Sequence, residues 1–177
     1  MRWLFLACLA APAVAECPPP PDHGAAYDTL YGQLSDAADE GEARALSGEL
    51  WMLWLDAPDA LAQAMLDEGM ALRQMFDFNG AQVALGRLVE YCPDYAEGWN
   101  QRAFAAFLAR DFDAALRDLD RALALNPRHL GALTGKGLTL LEMGRGEEAQ
   151  VVLRTAVDLN PWLAERALLA EPPGVDL

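Results

Sequence analysis

The side chains best able to act as nucleophiles, metal ligands or proton carriers are sparse in this sequence: Cys8, Cys17 and Cys92, with His23 and His129. A zinc or copper site needs such ligands at short, regular spacing, and these are scattered. There is no CxxCH haem attachment run, no Gly-rich phosphate loop and no nucleophile elbow. Met65, Met70 and Met75 recur every five residues, which spreads them around a helix and denies them a common face. The carboxylates Asp118 and Asp120 read as outward-facing surface. Both histidines fall in segments expected to be loops, where an imidazole is ordinarily solvated. No catalytic set, no metal site and no cofactor motif is expected, which leaves recognition as the chemistry and shifts attention to the elements that present surfaces.

Charge removes one class of partner. With 13 Lys and Arg against 27 Asp and Glu, the formal net charge is −14, and a phosphate backbone would be repelled. Nucleic acid is therefore set aside. An acidic exterior keeps a chain in solution, and it also suits a basic partner. Hydrophobic residues make up 53% of the chain, enough for a sizeable core.

The first residues read as an export signal. Met1 and Arg2 supply the positive end, Trp3 to Ala11 the apolar run, and Ala13-Val14-Ala15 the small-residue pattern that places cleavage before Glu16. The run is too short to anchor the chain across a bilayer, and no other segment is apolar enough to do so. The expected location is outside the cytoplasm, in the periplasm where the cell has one. Cys8 leaves with residues 1–15, so Cys17 and Cys92 remain as an even pair in an oxidising compartment. Their expected state is a disulfide tying the Pro-rich leader 16–24 to the loop after Tyr91; the alternative is two free thiols.

The elements that could present a surface recur along the chain. From Ala96 to Pro127, Trp99, Ala103, Ala106 and Phe107 mark one face of a helix. After a turn at Arg110-Asp111, Ala115, Leu116, Leu119, Ala122 and Leu123 mark a second. Pro93, Pro127 and Pro161 stand 34 residues apart, and small residues recur in the same phase at Gly69, Ala103 and Gly137 and at Ala81, Ala115 and Ala149. These are the places where two helices of a hairpin must approach closely. A lone hairpin cannot bury both stripes, so neighbours of the same kind are needed.

Over Ala62 to Pro161 this pattern resembles the tetratricopeptide repeat, whose period is about 34 residues. Three positions depart from it: Arg102 where Leu is usual, Leu88 in place of the small residue at Ala122 and Ala156, and Gly146 in place of the aromatic at Phe78 and Phe112. The resemblance implies an all-α chain, a right-handed α-solenoid of stacked antiparallel hairpins with repeats at about 62–94, 95–128 and 129–161. A diverged hairpin at 25–58 is expected to precede them, a capping helix at 162–170 to close the last open face, and 171–177 to form a loose tail. The run Leu50 to Leu55 is wider than one stripe, so Trp51 and Trp54 need cover, from a neighbour in the chain or from a partner.

By the same resemblance the first helix of each repeat forms an inner wall. The candidate partner-binding residues on it are Arg73, Gln74, Asn100, Gln101, Phe104, Leu108 and Leu138. Rings bordered by amides suit a peptide segment, although Phe104 and Leu108 could equally serve contact with the next hairpin. The function implied is an exported adaptor or scaffold that binds a protein or peptide and assists assembly of a cell-envelope complex. The alternative is a small-ligand or cofactor carrier using an aromatic-lined groove. An enzyme is the least supported reading. Alkylating the mature, unreduced and undenatured protein is expected to modify neither Cys17 nor Cys92, as read by mass spectrometry; modification of both would exclude the bond.

Overall fold

A computed structural model describes residues 16–170, and the expected signal at 1–15 and tail at 171–177 lie outside them. Among the described residues the chain is all-helical. It comprises α1 (Gly24–Asp36), α2 (Glu40–Trp54), α3 (Ala60–Gln74), α4 (Phe78–Tyr91), α5 (Ala96–Leu108), α6 (Phe112–Leu125), α7 (Leu130–Glu142) and α8 (Gly146–Leu159). The helices pair as α3 with α4, α5 with α6 and α7 with α8, and each pair stacks on the next.

Helix starts are set by side chains that accept otherwise unpaired backbone N–H groups. Asp39, Asp59, Asp77 and Asp111 cap α2, α3, α4 and α6 in this way. Arg145 makes no such bond at α8; its guanidinium pairs instead with Glu148, while Glu147 and Glu148 place negative charge in the first turn. The hairpin turns share one device. Phe76, Arg110 and Gly144 adopt left-handed backbone with φ of 63°, 63° and 73°. In each case the next residue's N–H donates back across the turn, from Asp77 to Leu72, Asp111 to Ala106 and Arg145 to Leu140.

Packing explains the small residues and one of the departures. A Cβ on Gly69 would lie 2.4 Å from Leu85, and one on Gly137 the same distance from Leu153, so glycine lets the two helices of those hairpins close. Leu88 stands where the later repeats have alanine, and it is fully buried. Gly98 on the facing helix makes the room, since a Cβ there would sit 3.2 Å from Leu88. Arg102, the second departure, pairs through Nε and Nη2 with Asp118 at 2.7 and 2.6 Å, and its guanidinium lies 4.8 Å from the Trp99 ring centroid. Asp118 is thus a buried partner within its hairpin, not outward surface as its sequence position suggested; an ion pair this shielded needs the carboxylate turned inward.

The N-terminal hairpin departs most from expectation. It does not stack on α3 and α4 as a preceding repeat. Leu30, Tyr31 and Leu34 of α1 and Ala43, Leu50 and Trp54 of α2 share a core with Leu130, Leu133 and Ala156 of the last repeat. Asn160 Nδ2 donates to Ser47 Oγ at 3.2 Å, Tyr31 Oη donates to the Arg128 carbonyl, and Arg128 pairs with Asp28 at 2.7 Å. The apolar band on α2 is too wide for one neighbour, and the third repeat covers it. The vacated side of α3 stays exposed along Leu61, Ala64, Ala71 and Met75, whereas the same phase is buried at Gly98 and Ala105 of α5 and at Ala132 and Thr139 of α7.

Two further features complete the fold. Cys17 and Cys92 are joined by a disulfide with Cα atoms 5.2 Å apart, closing a loop of 75 residues. On the chain-entropy model such a loop contributes about 4 kcal/mol, less any strain. The expected capping helix at 162–170 is instead a short 3-10 turn, Ala164–Leu168, tied down where Gln150 bonds Leu168 and Ala170. Five residues after Pro161 cannot offer a helical stripe, and Trp162 and Leu163 pack on the shared core directly. Leu50→Ala should cost roughly 2–5 kcal/mol in denaturant unfolding, because the side chain is fully buried between hairpin and array. Met52→Ala, 65% exposed on the same helix, should stay within about 0.5 kcal/mol of the parent.

Candidate functional site

The first helices of the repeats, α3, α5 and α7, supply the inner wall, and at its centre lies a buried polar hub. Glu97, 1% exposed, accepts from Asn100 Nδ2 at 3.0 Å, Gln101 Nε2 at 2.6 Å and His129 Nε2 at 2.8 Å. The histidine tautomer follows from its other nitrogen. His129 Nδ1 accepts the Ala132 N–H at 3.2 Å as the N-cap of α7, so Nε2 carries the proton that goes to Glu97. Trp54 stacks on this ring with centroids 4.4 Å apart, and Tyr95 Oη donates to the Trp54 carbonyl at 2.6 Å. Thus α2 ends over the starts of α5 and α7, held by aromatic and polar contacts together. His129, expected as a solvated loop residue, is buried because this hairpin covers it. His23 is half-buried and bonds Asp56 at 2.8 Å.

Beyond the hub the wall becomes apolar. Trp51, Phe104, Phe107, Leu119 and Leu138 line a cavity of about 240 Å³, with Asn100 and Gln101 in its wall. Phe104 is 42% exposed and forms its lip, held by the Arg73 guanidinium 4.3 Å from the ring centroid. Burial pushes the Arg73 pKa down, against the pull of Glu97. Two polar atoms here are buried without a partner in the protein: Arg73 Nε and Gln101 Oε1.

The proposed binding residues therefore separate. Phe104, Leu138, Asn100 and Gln101 meet at the cavity, and Arg73 reaches it through Phe104. Gln74 is exposed at the end of α3 and Leu108 half-buried at the end of α5; neither lines the cavity. The donor N–H groups of Asn100 and Gln101 that bond Glu97 are not free for a ligand. Trp51 was not among the expected wall residues; its only sequence signal is the wide apolar run that demanded cover. A second, polar cavity of about 340 Å³ lies under the leader, among His23, Asp56, Asp94, Tyr95, Glu97 and Arg128. Among the described residues no cluster of His, Cys, Asp or Glu is arranged to hold a metal, and no helix is long and apolar enough to cross a membrane.

Known proteins place this arrangement. The family model described as tetratricopeptide repeat matches residues 106–170. Tetratricopeptide repeat protein 36 of Bos taurus is 30% identical over 130 residues, covering 67% of this chain and 69% of that protein. A TPR repeat-containing protein of Rhizobium etli is 27% identical over 140 residues, 76% of this chain and 66% of the relative, so the chain spans just under two thirds of that protein. Among solved structures, the first TPR of Spaghetti (RPAP3) bound to an HSP90 peptide superposes with a TM-score of 0.59 at 21% identity, covering 60% of this chain and 85% of that one. The chain belongs to the tetratricopeptide repeat family.

The tyrosines around the hub report on its integrity. Burial raises the phenol pKa of Tyr27 to about 12 and lifts those of Tyr31 and Tyr95 well above the ordinary value. Tyr91 is raised by donating to Asp59 at 2.7 Å. A raised folded-state pKa means the folded chain holds its proton more tightly than the unfolded one, so this stability is complete below about pH 10 and is lost as pH rises beyond it. The expected outcome of an alkaline titration is that Tyr27, Tyr31 and Tyr95 stay protonated through pH 10 while the fold persists, and that their phenolate absorbance then appears together with loss of helical circular dichroism. Independent titration of Tyr27, Tyr31 or Tyr95 near the ordinary tyrosine pKa would contradict the packing described.

Proposed function

We propose that the chain is an exported adaptor that binds a segment of another protein along the wall formed by α3, α5 and α7, and that it assists assembly of a cell-envelope complex. The observation that carries the reading is the exposed ring of Phe104 at the lip of an apolar cavity within a repeat array. The similar structure bound to an HSP90 peptide supports a peptide-sized occupant. The export signal pattern and the Cys17 to Cys92 disulfide support an oxidising compartment outside the cytoplasm. A carrier of a flat aromatic small molecule is the second reading, and it draws on the same cavity. At about 240 Å³ that cavity falls below the roughly 300–1,000 Å³ of most small-molecule sites, which favours the peptide.

Because Asn100 is committed to Glu97, the informative variant removes apolar groups instead. Crosslinking pull-downs from cell-envelope extract should lose their partner with Phe104→Ala plus Leu108→Ala. Unchanged recovery by that double variant would remove the groove from the account.

A further inference from the structure

The N-terminal hairpin turns an open groove into an end-stopped one, and this decides what can enter. Trp51 forms a wall of the apolar cavity, while Trp54, one turn on, is fixed between His129 and Tyr95. Ser47, midway along α2 and two turns before Trp54, accepts from Asn160. With Trp51 of α2 closing one side, the cavity has room for a side chain presented from its open mouth. At about 240 Å³ it is too small for a drug-sized ligand, for which roughly 300–1,000 Å³ is usual, and it suits one large side chain.

One polar atom states what that side chain carries. Gln101 is 1% exposed and forms part of the cavity wall. Its Nε2 donates to Glu97 at 2.6 Å, which fixes the amide orientation and leaves Oε1 as a buried acceptor without a donor. A buried acceptor left unpaired is costly, and a ligand that brings a donor relieves it. The other lining groups offer rings and aliphatic carbon: Trp51, Phe104, Phe107 and Leu138. Aromatic side chains with a polar tip join these two properties.

We propose that this cavity is a subsite for one aromatic residue that carries its own donor, tryptophan or tyrosine, presented by an extended segment of the partner and donating to Gln101 Oε1. The inference rests on the groove-binding reading and assigns its specificity. Arg73 acts as a positioning residue by holding the Phe104 ring at the lip.

The test uses the full mature chain, isotope-labelled, titrated with capped tripeptides Gly-Trp-Gly, Gly-Tyr-Gly and Gly-Phe-Gly and followed by NMR. The Trp and Tyr peptides should bind at least about fivefold more tightly than the Phe peptide, the worth of one neutral hydrogen bond, and should shift the Gln101 side-chain amide. Leu138→Trp, which fills the cavity from a half-buried position, should abolish binding while circular dichroism stays unchanged. Equal or tighter binding of the Phe peptide, no binding of any of the three at millimolar concentration, or binding that survives a folded Leu138→Trp would each overturn the subsite. The peptide comparison in the parent protein stands even if Leu138→Trp does not fold. Partner recovery that depends on Phe104 and Leu108, without any preference among the peptides, would remove the subsite and leave the groove reading in place.

Discussion

A single buried carboxylate holds the two halves of this molecule to each other. Glu97 lies at the start of α5 with almost no exposure, and a charge in that position survives only if its oxygens are paired. Three donors from α5 and α7 meet that need. One of them, His129, is in turn covered by Trp54 from a hairpin far away in sequence. Removing one of these donors leaves the buried carboxylate short of a hydrogen-bond partner, which typically costs about 1–3 kcal/mol or more. The hub therefore couples stacking of the second and third repeats to docking of the N-terminal hairpin.

The repeats were legible because their physics is periodic. Small residues at Gly69, Ala103 and Gly137 and the matching alanines of the second helices recur wherever helices approach, and Asp77 and Asp111 cap in one phase. The position of α1 and α2 was not legible, and the reason is physical. An apolar band at Trp51 and Trp54 says that cover is needed but carries no address, since burial is non-directional. Only pairings across the chain, such as Tyr31 with Arg128, fix where it goes. The same limit hid Asp118 and His129, whose partners lie on neighbouring helices or a distant hairpin.

The candidate site was legible by type more than by role. The family resemblance, carried along the chain by phase, put Phe104 and Leu138 on the inner wall, and both line one cavity. Phase could not say that the Asn100 and Gln101 amides already answer to Glu97, because a hydrogen-bond partner depends on rotamers and neighbours that periodicity does not encode. What remains for recognition is an acceptor oxygen, a guanidinium held against a ring, and rings themselves. A wall rich in amides has become, on folding, a largely apolar one.

The clasp between Ser47 and Asn160 spans 113 positions, and that separation governs how the molecule is made. Open solenoids settle unit by unit as each emerges, since every unit touches only its neighbours. Here the N-terminal hairpin docks on the last repeat, so it cannot settle until that repeat exists. At roughly 5–20 residues per second, a ribosome needs on the order of 6 to 23 s to deliver the matching end. Throughout that interval the apolar band of α2 lacks the repeat that covers it in the folded chain, and a band of that kind is adhesive.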